Sequence, residues 1–351
     1  MRPQRDITLL WALRSPCSFA CDYCYFGSLE EHRENPPTRP GQLSHLPHGD
    51  LPLPAILRFL STIGRSSVKR VFLAGGEPLI WAPIAHVIET LADAGVQVTV
   101  CTNGVPLNRG SVSTMLLDTG VRGVSVSLDS ADPVLNDLHR PARNRADGWH
   151  SVVAGIKHLI AERGTRTRPA IGLYSVITRR TLPGLPATAR FAAGLGVDYF
   201  VAQPVALDPG HPLHDELALR TADLPALARA FDHVYGADLG LELPAPRYPR
   251  QVASPIEYPL QTVRGCFGGH QLAFIQPDGS VWDCPSSHKI AAGRPGGAPT
   301  IASRTAAELF PTPPATGGRD CPLFSGDCVN MWPLMGDFDR FLGARIPDGT
   351  Q

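Results

Sequence analysis

Three cysteines stand close together near the start of the sequence, in Leu13-Arg14-Ser15-Pro16-Cys17-Ser18-Phe19-Ala20-Cys21-Asp22-Tyr23-Cys24-Tyr25-Phe26. Their spacing is C-x3-C-x2-C. Thiolates are the usual ligands of iron–sulfur clusters, and short spacings let one loop wrap one cluster. The tight group stops at three. A four-iron cubane held by three thiolates keeps one iron without a protein ligand. An open position of that kind is where a small molecule binds, by the logic that leaves a catalytic zinc one ligand short. A zinc knuckle is the rival reading, but zinc sites usually show four ligands in two pairs. The next candidate ligand, His32, lies far down a polar loop. Chance clustering of cysteines is the other rival.

A second set comes late: Cys266, Cys284, Cys321 and Cys328. Four thiolates suit a fully ligated cubane or a structural zinc. Cys266 and Cys284 enclose two apolar runs separated by Pro277-Asp278-Gly279, which reads as a β-hairpin. The remaining cysteine, Cys101, falls in an apolar strand and reads as a small core residue. The pair His45-x2-His48 could suggest a metal, but exposed histidines in a polar loop are the simpler reading.

The elements that must position these residues alternate along the chain. Ile7–Leu13 is an apolar run with strand character that delivers the first cysteine loop. Gly27–Asp50 is a long polar loop. Ala55–Ile63 has helical spacing, and Val68–Leu73 is a β-branched strand followed by Ala74-Gly75-Gly76-Glu77-Pro78. Helices are expected over Trp81–Ala94, Ser111–Asp118, Trp149–Arg163, Pro186–Leu195 and Ala222–Tyr235. Strands are expected over Val96–Cys101, Gly123–Leu128, Ile171–Thr178 and Asp198–Gln203. Six strands alternating with helices imply βαβ units and a parallel sheet. The polar and glycine motifs fall just after strands, where barrels of this kind gather their active sites. From Pro244 the alternation ends, and Pro244–Pro259 reads as a proline-rich surface linker. A doubly wound sheet is the structural alternative, but no G-x-G-x-x-G follows the first strand.

The chain has 351 residues, 43% of them hydrophobic and 18% charged, as expected of an ordinary soluble globular protein. Net charge is zero, which gives no electrostatic case for nucleic acid or an anionic membrane. No apolar run approaches about 20 residues, so no membrane span is expected. The N-terminus is basic then apolar, but the run is short and no small-residue cleavage site follows, which argues against a signal peptide. Eight cysteines in a chain of this length do not make a secreted disulfide scaffold. A cytoplasmic metalloprotein is the expectation.

The cysteine triple, with Tyr23 before its third member, resembles the signature of the radical S-adenosylmethionine (SAM) enzymes. The resemblance implies a [4Fe–4S] cluster on Cys17, Cys21 and Cys24. Its open iron would be chelated by SAM, which is then cleaved to methionine and a 5′-deoxyadenosyl radical. It also implies a partial (β/α)6 barrel, in keeping with the six strands above. Gly75-Gly76-Glu77-Pro78 resembles the family's GGEP motif, which binds the methionine amino end of SAM. Glycines permit close backbone approach, although Gly-Gly and Pro are also ordinary in a plain turn. Ser127 and Asp129, which close the fourth strand, resemble ribose or methionine contacts. Asn103 closes the third strand, and Arg140 resembles an arginine near the SAM carboxylate. The spacing C-x12-G-x4-C from Cys266 to Cys284 resembles the opening of SPASM and Twitch domains. Four cysteines match the shorter Twitch type, which implies a second [4Fe–4S] cluster on Cys266, Cys284, Cys321 and Cys328. The expected division is residues 1–243 as the barrel and 244–351 as a small Twitch-like domain.

Twitch and SPASM enzymes modify either peptides or small molecules such as sugars, aminocyclitols and nucleosides. Sixteen residues precede Cys17, with no room for the peptide-recognition domain that peptide-modifying members often carry, so a small molecule is expected. Leu10–Cys17, Tyr25-Phe26-Gly27 and Asp283–Ser287 look similar to the cytosylglucuronate decarboxylases of blasticidin-type nucleoside antibiotic pathways. On that resemblance, the radical removes hydrogen beside a carboxylate-bearing sugar carbon and CO2 is lost. Arg140 or Arg143 would anchor the carboxylate through its planar fork, and Tyr174 and Gln203 would face the substrate. The alternatives are a radical dehydrogenase of a sugar or aminocyclitol alcohol, a peptide or sulfatase maturase and, outside enzymes, a zinc-bound scaffold. An external electron donor of flavodoxin or ferredoxin type is implied; no nucleic-acid or membrane partner is.

Overall fold

The computed structural model describes residues 6–24, 49–144, 148–287, 297–312 and 320–328. Tyr25, Phe26, Gly27, His32, His45 and His48 lie outside the described residues. Six strands form the expected alternation: β1 (Ile7–Arg14), β2 (Val68–Gly75), β3 (Gln97–Thr102), β4 (Gly123–Ser127), β5 (Ala170–Ile177) and β6 (Tyr199–Pro204). Each pairs in parallel with the next. Parallel pairs need a crossover. Here these include α1 (Leu53–Leu60), α2 (Ile84–Asp93), α3 (Gly110–Asp118), α4 (Pro133–His139), α5 (Trp149–Arg163) and α6 (Leu185–Leu195). Consecutive strand order with crossovers of one hand puts the helices on one face and curls the sheet around the other. The chain therefore forms a partial barrel.

Two apolar layers record the two faces. Leu9, Trp11 and Leu13 of β1 join the large core with α1 and α2 residues such as Phe59 and Ile88, whereas Leu10 and Ala12 join an inner layer built from strands alone. Both sets are buried, so β1 reads as a continuous apolar run rather than an alternating one. Gly172 of β5 has a specific reason to be glycine. A Cβ there would overlap the ring of Tyr199, which crosses the inner face so that its hydroxyl meets Ser125 Oγ at 2.6 Å.

The hairpin expected around Pro277-Asp278-Gly279 forms as β7 (Leu272–Ile275) and β8 (Val281–Trp282). β7 pairs in parallel with β1, giving one eight-stranded sheet of order β6-β5-β4-β3-β2-β1-β7-β8. The linker expected over Pro244–Pro259 is instead largely helical, at Tyr248–Glu257. Pro249 sits in the first turn, where a missing N–H costs nothing. Tyr248 and Val252, one turn apart, are both buried, and Tyr248 Oη donates to Ala202 O at 2.9 Å. Proline content hid an amphipathic helix.

Candidate active site

At the C-terminal ends of the strands lies a cavity of about 240 Å³, with Cys17, Cys21 and Cys24 on one wall and Gly75, Gly76 and Asn103 beside them. The glycine pair meets the cysteine loop directly. Gly76 N donates to Arg14 O at 2.7 Å and Glu77 N to Pro16 O at 2.8 Å. A Cβ on Gly76 would overlap the Ser15 and Pro16 carbonyls, and Gly75 has φ +121°, open only to glycine. The start of the loop is held by Asp50, which accepts Ser15 N at 3.0 Å, pairs with Arg14 Nε at 3.1 Å and also takes the Ser15 hydroxyl. Asp50 was not expected; its place at the end of a polar loop carried no signal.

Glu77 and Asp129 are not among the cavity-lining residues. Glu77 is fully buried. Its carboxylate accepts Leu79 N at 3.0 Å, Thr102 Oγ1 at 2.9 Å and Asn103 N at 2.6 Å. Burial pushes its pKa up to about 7, against the pull of those three donors. Pro78 is buried behind it. Asp129 accepts the Tyr23 hydroxyl and Val176 N (2.7 Å), and faces Arg140 Nη1 at 3.5 Å. Both carboxylates thus hold the loops that form the cavity rather than reaching into it. Burial, then Asp129, raises Tyr23 well above the usual phenol range, so Tyr23 is a protonated strut.

Ser127, Arg140, Tyr174 and Gln203 line the cavity. Burial lowers the pKa of Arg140, but the Cys21 and Asp129 charges more than reverse this, so its guanidinium stays charged. Tyr174 Oη donates to Gln203 Oε1. Arg143 is elsewhere: its Nε donates to Cys17 O at 3.1 Å and it does not line the cavity. Cys101 departs from the expected core position. It is half-buried on the inner face and lines the cavity, because Val98 and Val100 take the helix side of β3. Burial pushes its thiol up to about 12.

Residues 16–182, just under half of the chain, match the model of the radical SAM superfamily. The chain is 31% identical over 223 residues to the probable GTP 3′,8-cyclase of Methanopyrus kandleri, covering 62% of this chain and 63% of that protein. It is 25% identical over 291 residues to the AdoMet-dependent heme synthase of Methanosarcina barkeri, covering 79% of this chain and 76% of that protein. Streptococcus suis SuiB bound to S-adenosylmethionine shares the fold, with a TM-score of 0.62 and 15% identity over 87% of this chain and 65% of that one. The chain thus spans just under two thirds of the length of the Methanopyrus cyclase and of SuiB.

The match to the radical SAM model over residues 16–182 would imply SAM and a [4Fe–4S] cluster, and the residues present fit both. Burial pushes the Cys17 thiol up to about 12 and raises Cys21, so loading must displace protons. Two N–H groups already aim at Cys17 Sγ, from Phe19 N (3.4 Å) and Asn103 Nδ2 (3.8 Å); such bonds tune cluster potentials. Among the described residues no three His, Cys, Asp or Glu side chains converge tightly enough for a single metal ion. The cysteine triple borders the cavity. The glycine backbone, Asn103, Ser127 and Arg140 border the same space, where SAM would lie. No described helix is long and apolar enough to cross a membrane.

Proposed function

We propose that this chain is a radical SAM enzyme that abstracts hydrogen from a small, uncharged, hydroxyl-bearing substrate on the inner face of the barrel. The observation that carries the substrate class is the cavity lining. Among the described lining residues the only Lys, Arg, Asp or Glu is Arg140, and it already faces Asp129 at 3.5 Å. The rest of that wall offers neutral hydrogen-bonding groups, Ser125, Tyr174 and Gln203, among Leu10, Val176 and Cys101. Such a wall suits alcohol groups on an otherwise apolar frame.

When bound, the cluster and SAM supply a 5′-deoxyadenosyl radical. Cys17, Cys21 and Cys24 would hold the cluster. The backbone of Gly75–Gly76, with Asn103, Ser127 and Arg140, would hold SAM, while Glu77 and Asp129 keep their loops in place. Tyr174 and Gln203, bonded to each other, would orient the substrate hydroxyl. Oxidation of that alcohol to a ketone then needs one further electron and the hydroxyl proton to leave, the proton going to solvent.

Cys266, Cys284, Cys321 and Cys328, in a Twitch-like region of residues 244–351, would hold an auxiliary [4Fe–4S] cluster, which would supply a one-electron acceptor connected to an external carrier. Support comes from a second cavity, about 850 Å³, that all four late cysteines line. Burial raises Cys266 and pushes Cys284 up to about 12, with the neighbouring thiols adding to both. Decarboxylation of cytosylglucuronic acid ranks lower, because its carboxylate needs a cation: Arg140 faces Asp129, and Arg143 is bonded to the Cys17 carbonyl. A second reading rests on Arg247, Arg250 and Arg264, which line the late cavity while no described carboxylate does. That setting suits an anion, and the relatives named as GTP cyclases make a nucleotide the one to try.

The deciding experiment gives the reconstituted protein SAM and a strong reductant, then a neutral polyol or aminocyclitol, cytosylglucuronic acid, GTP or a peptide. Stimulated 5′-deoxyadenosine release with a product two hydrogens lighter bears out the alcohol oxidation. Loss of CO2 restores the decarboxylase, stimulation by GTP favours the second reading, and stimulation by the peptide alone rejects a small substrate. Replacing Cys266 and Cys284 with Ala should lower bound iron from about eight to about four per chain, as expected for two cubanes.

A further inference from the structure

The cysteine loop is strapped along its length by the residues that follow α4. Asp22 N donates to His139 O at 3.0 Å, Ala20 N to Pro141 O at 2.9 Å and Arg143 N to Ser18 O at 2.9 Å. Phe19 and Ala142 form an antiparallel bridge. The Arg140 guanidinium lies over the Phe19 ring at 5.8 Å. Within this strap one side-chain pair is buried: His139 Nδ1 meets Asp22 Oδ2 at 3.1 Å, with His139 5% and Asp22 8% exposed. The other ring nitrogen, Nε2, is buried without a hydrogen-bond partner among the described residues. It stands 4.0 Å from Glu216 Oε1 on α7 (His214–Leu217), and Glu216 is paired with Arg180 at 2.7 Å.

We propose that His139 is a positioning residue: it fixes the cysteine loop, through Asp22, against α4. The proposal rests on the assignment of Cys17, Cys21 and Cys24 to the cluster. Two features argue for it over plain packing. A buried aspartate beside a cluster ligand is costly unless bonded, and His139 supplies both a ring N–H and a backbone carbonyl to that one residue. A side chain one bond removed from a ligand loop governs the direction in which the thiolates point, as outer partners do at metal sites generally.

The test uses the full chain, reconstituted, reduced and supplied with SAM, in the His139→Ala, His139→Gln and Asp22→Asn variants. The readouts are iron per chain, the electron paramagnetic resonance spectrum with and without SAM, amide exchange over residues 17–24, and kcat and KM for SAM cleavage. His139→Ala should keep its iron, exchange faster across the loop, change the spectrum, and lose about 10-fold to 100-fold in kcat with KM for SAM little altered. Asp22→Asn should move the same way. His139→Gln should recover most of the loss, because its amide can still donate to Asp22. Wild-type exchange, spectrum and kcat in His139→Ala would overturn the proposal, as would equal losses in the Gln and Ala variants. If His139→Ala does not fold, the other two variants decide on the same readouts. A wild-type chain that holds no iron at the triple overturns the cluster assignment itself, a different failure.

Discussion

The carboxylate of Glu77 accepts the backbone N–H of Asn103 at 2.6 Å and the Thr102 hydroxyl at 2.9 Å, so one buried side chain joins the loop after β2 to the loop after β3. Both loops border the cavity. Glu77→Ala should therefore lower SAM affinity although Glu77 does not reach the cavity. Charge-assisted hydrogen bonds contribute about 1.5–3 kcal/mol each, so the same variant should also lose several kcal/mol of stability in a urea titration. Weakened SAM binding with unchanged stability would assign Glu77 a direct contact instead.

The burial of Glu77 carries a pH signature. With its folded pKa up to about 7 against an ordinary 4.5, only the folded chain keeps the proton between those values. Below the lower value both states hold it. Stability contributed by this group is thus full at acid pH and falls as pH rises through 4.5 to 7. Relative to Glu77→Gln, the metal-free wild type should lose up to about 3 kcal/mol across that window and change little above it. A difference independent of pH would show that the three donors keep Glu77 ionised.

Gly76→Ala should be among the most damaging single changes. Its Cβ would overlap two backbone carbonyls of the cysteine loop, Ser15 and Pro16, neither of which can rotate away. Overpacking of this kind costs about 1–3 kcal/mol, and here the strain falls on the ligand loop. The expected result is reduced iron retention at the first site with normal iron at the late cysteines. Full iron retention would mean that the loop can shift without consequence.

Cys101 separates from the seven other cysteines in an iron assay. Cys101→Ala should keep wild-type iron, whereas the Cys17, Cys21 and Cys24 triple Ala variant should lose about four irons per chain and all SAM cleavage. Because Cys101 lines the cavity, its replacement by Leu should raise the substrate KM. A loss of iron in Cys101→Ala would make it a ligand.

Tyr174→Phe removes the hydroxyl that donates to Gln203. If these two residues orient the substrate, KM should rise by about 3-fold to 30-fold, the range for one or two hydrogen bonds, while SAM cleavage without substrate stays at its wild-type rate. Equal losses with and without substrate would place the pair in the fold instead.

The cysteine triple, Gly75–Pro78 and the six strand–helix repeats were legible in the linear chain, because spacing and periodicity are local properties. A loop carrying three thiolates at C-x3-C-x2-C, or an apolar run bounded by glycine, carries its meaning without its neighbours. The helix at Tyr248–Glu257 was hidden because proline reads as a helix breaker: Pro249 sits in the first turn, where it costs nothing, and Pro255 is inside the helix near its end, where packing of the buried Tyr248 and Val252 outweighs a lost hydrogen bond. The side of β3 that Cys101 faces, and the inward turn of the Glu77 and Asp129 carboxylates onto protein donors rather than onto a ligand, came from packing. So did the meeting of Asp22 with His139, residues 117 positions apart. A residue's type says what it can bond; which donor stands within three ångströms depends on chain crossings between distant strands. Tertiary structure alone could bring β7 back beside β1, set the strap of residues 139–143 against the ligand loop, and leave, among the described residues, one paired arginine in an otherwise neutral cavity wall.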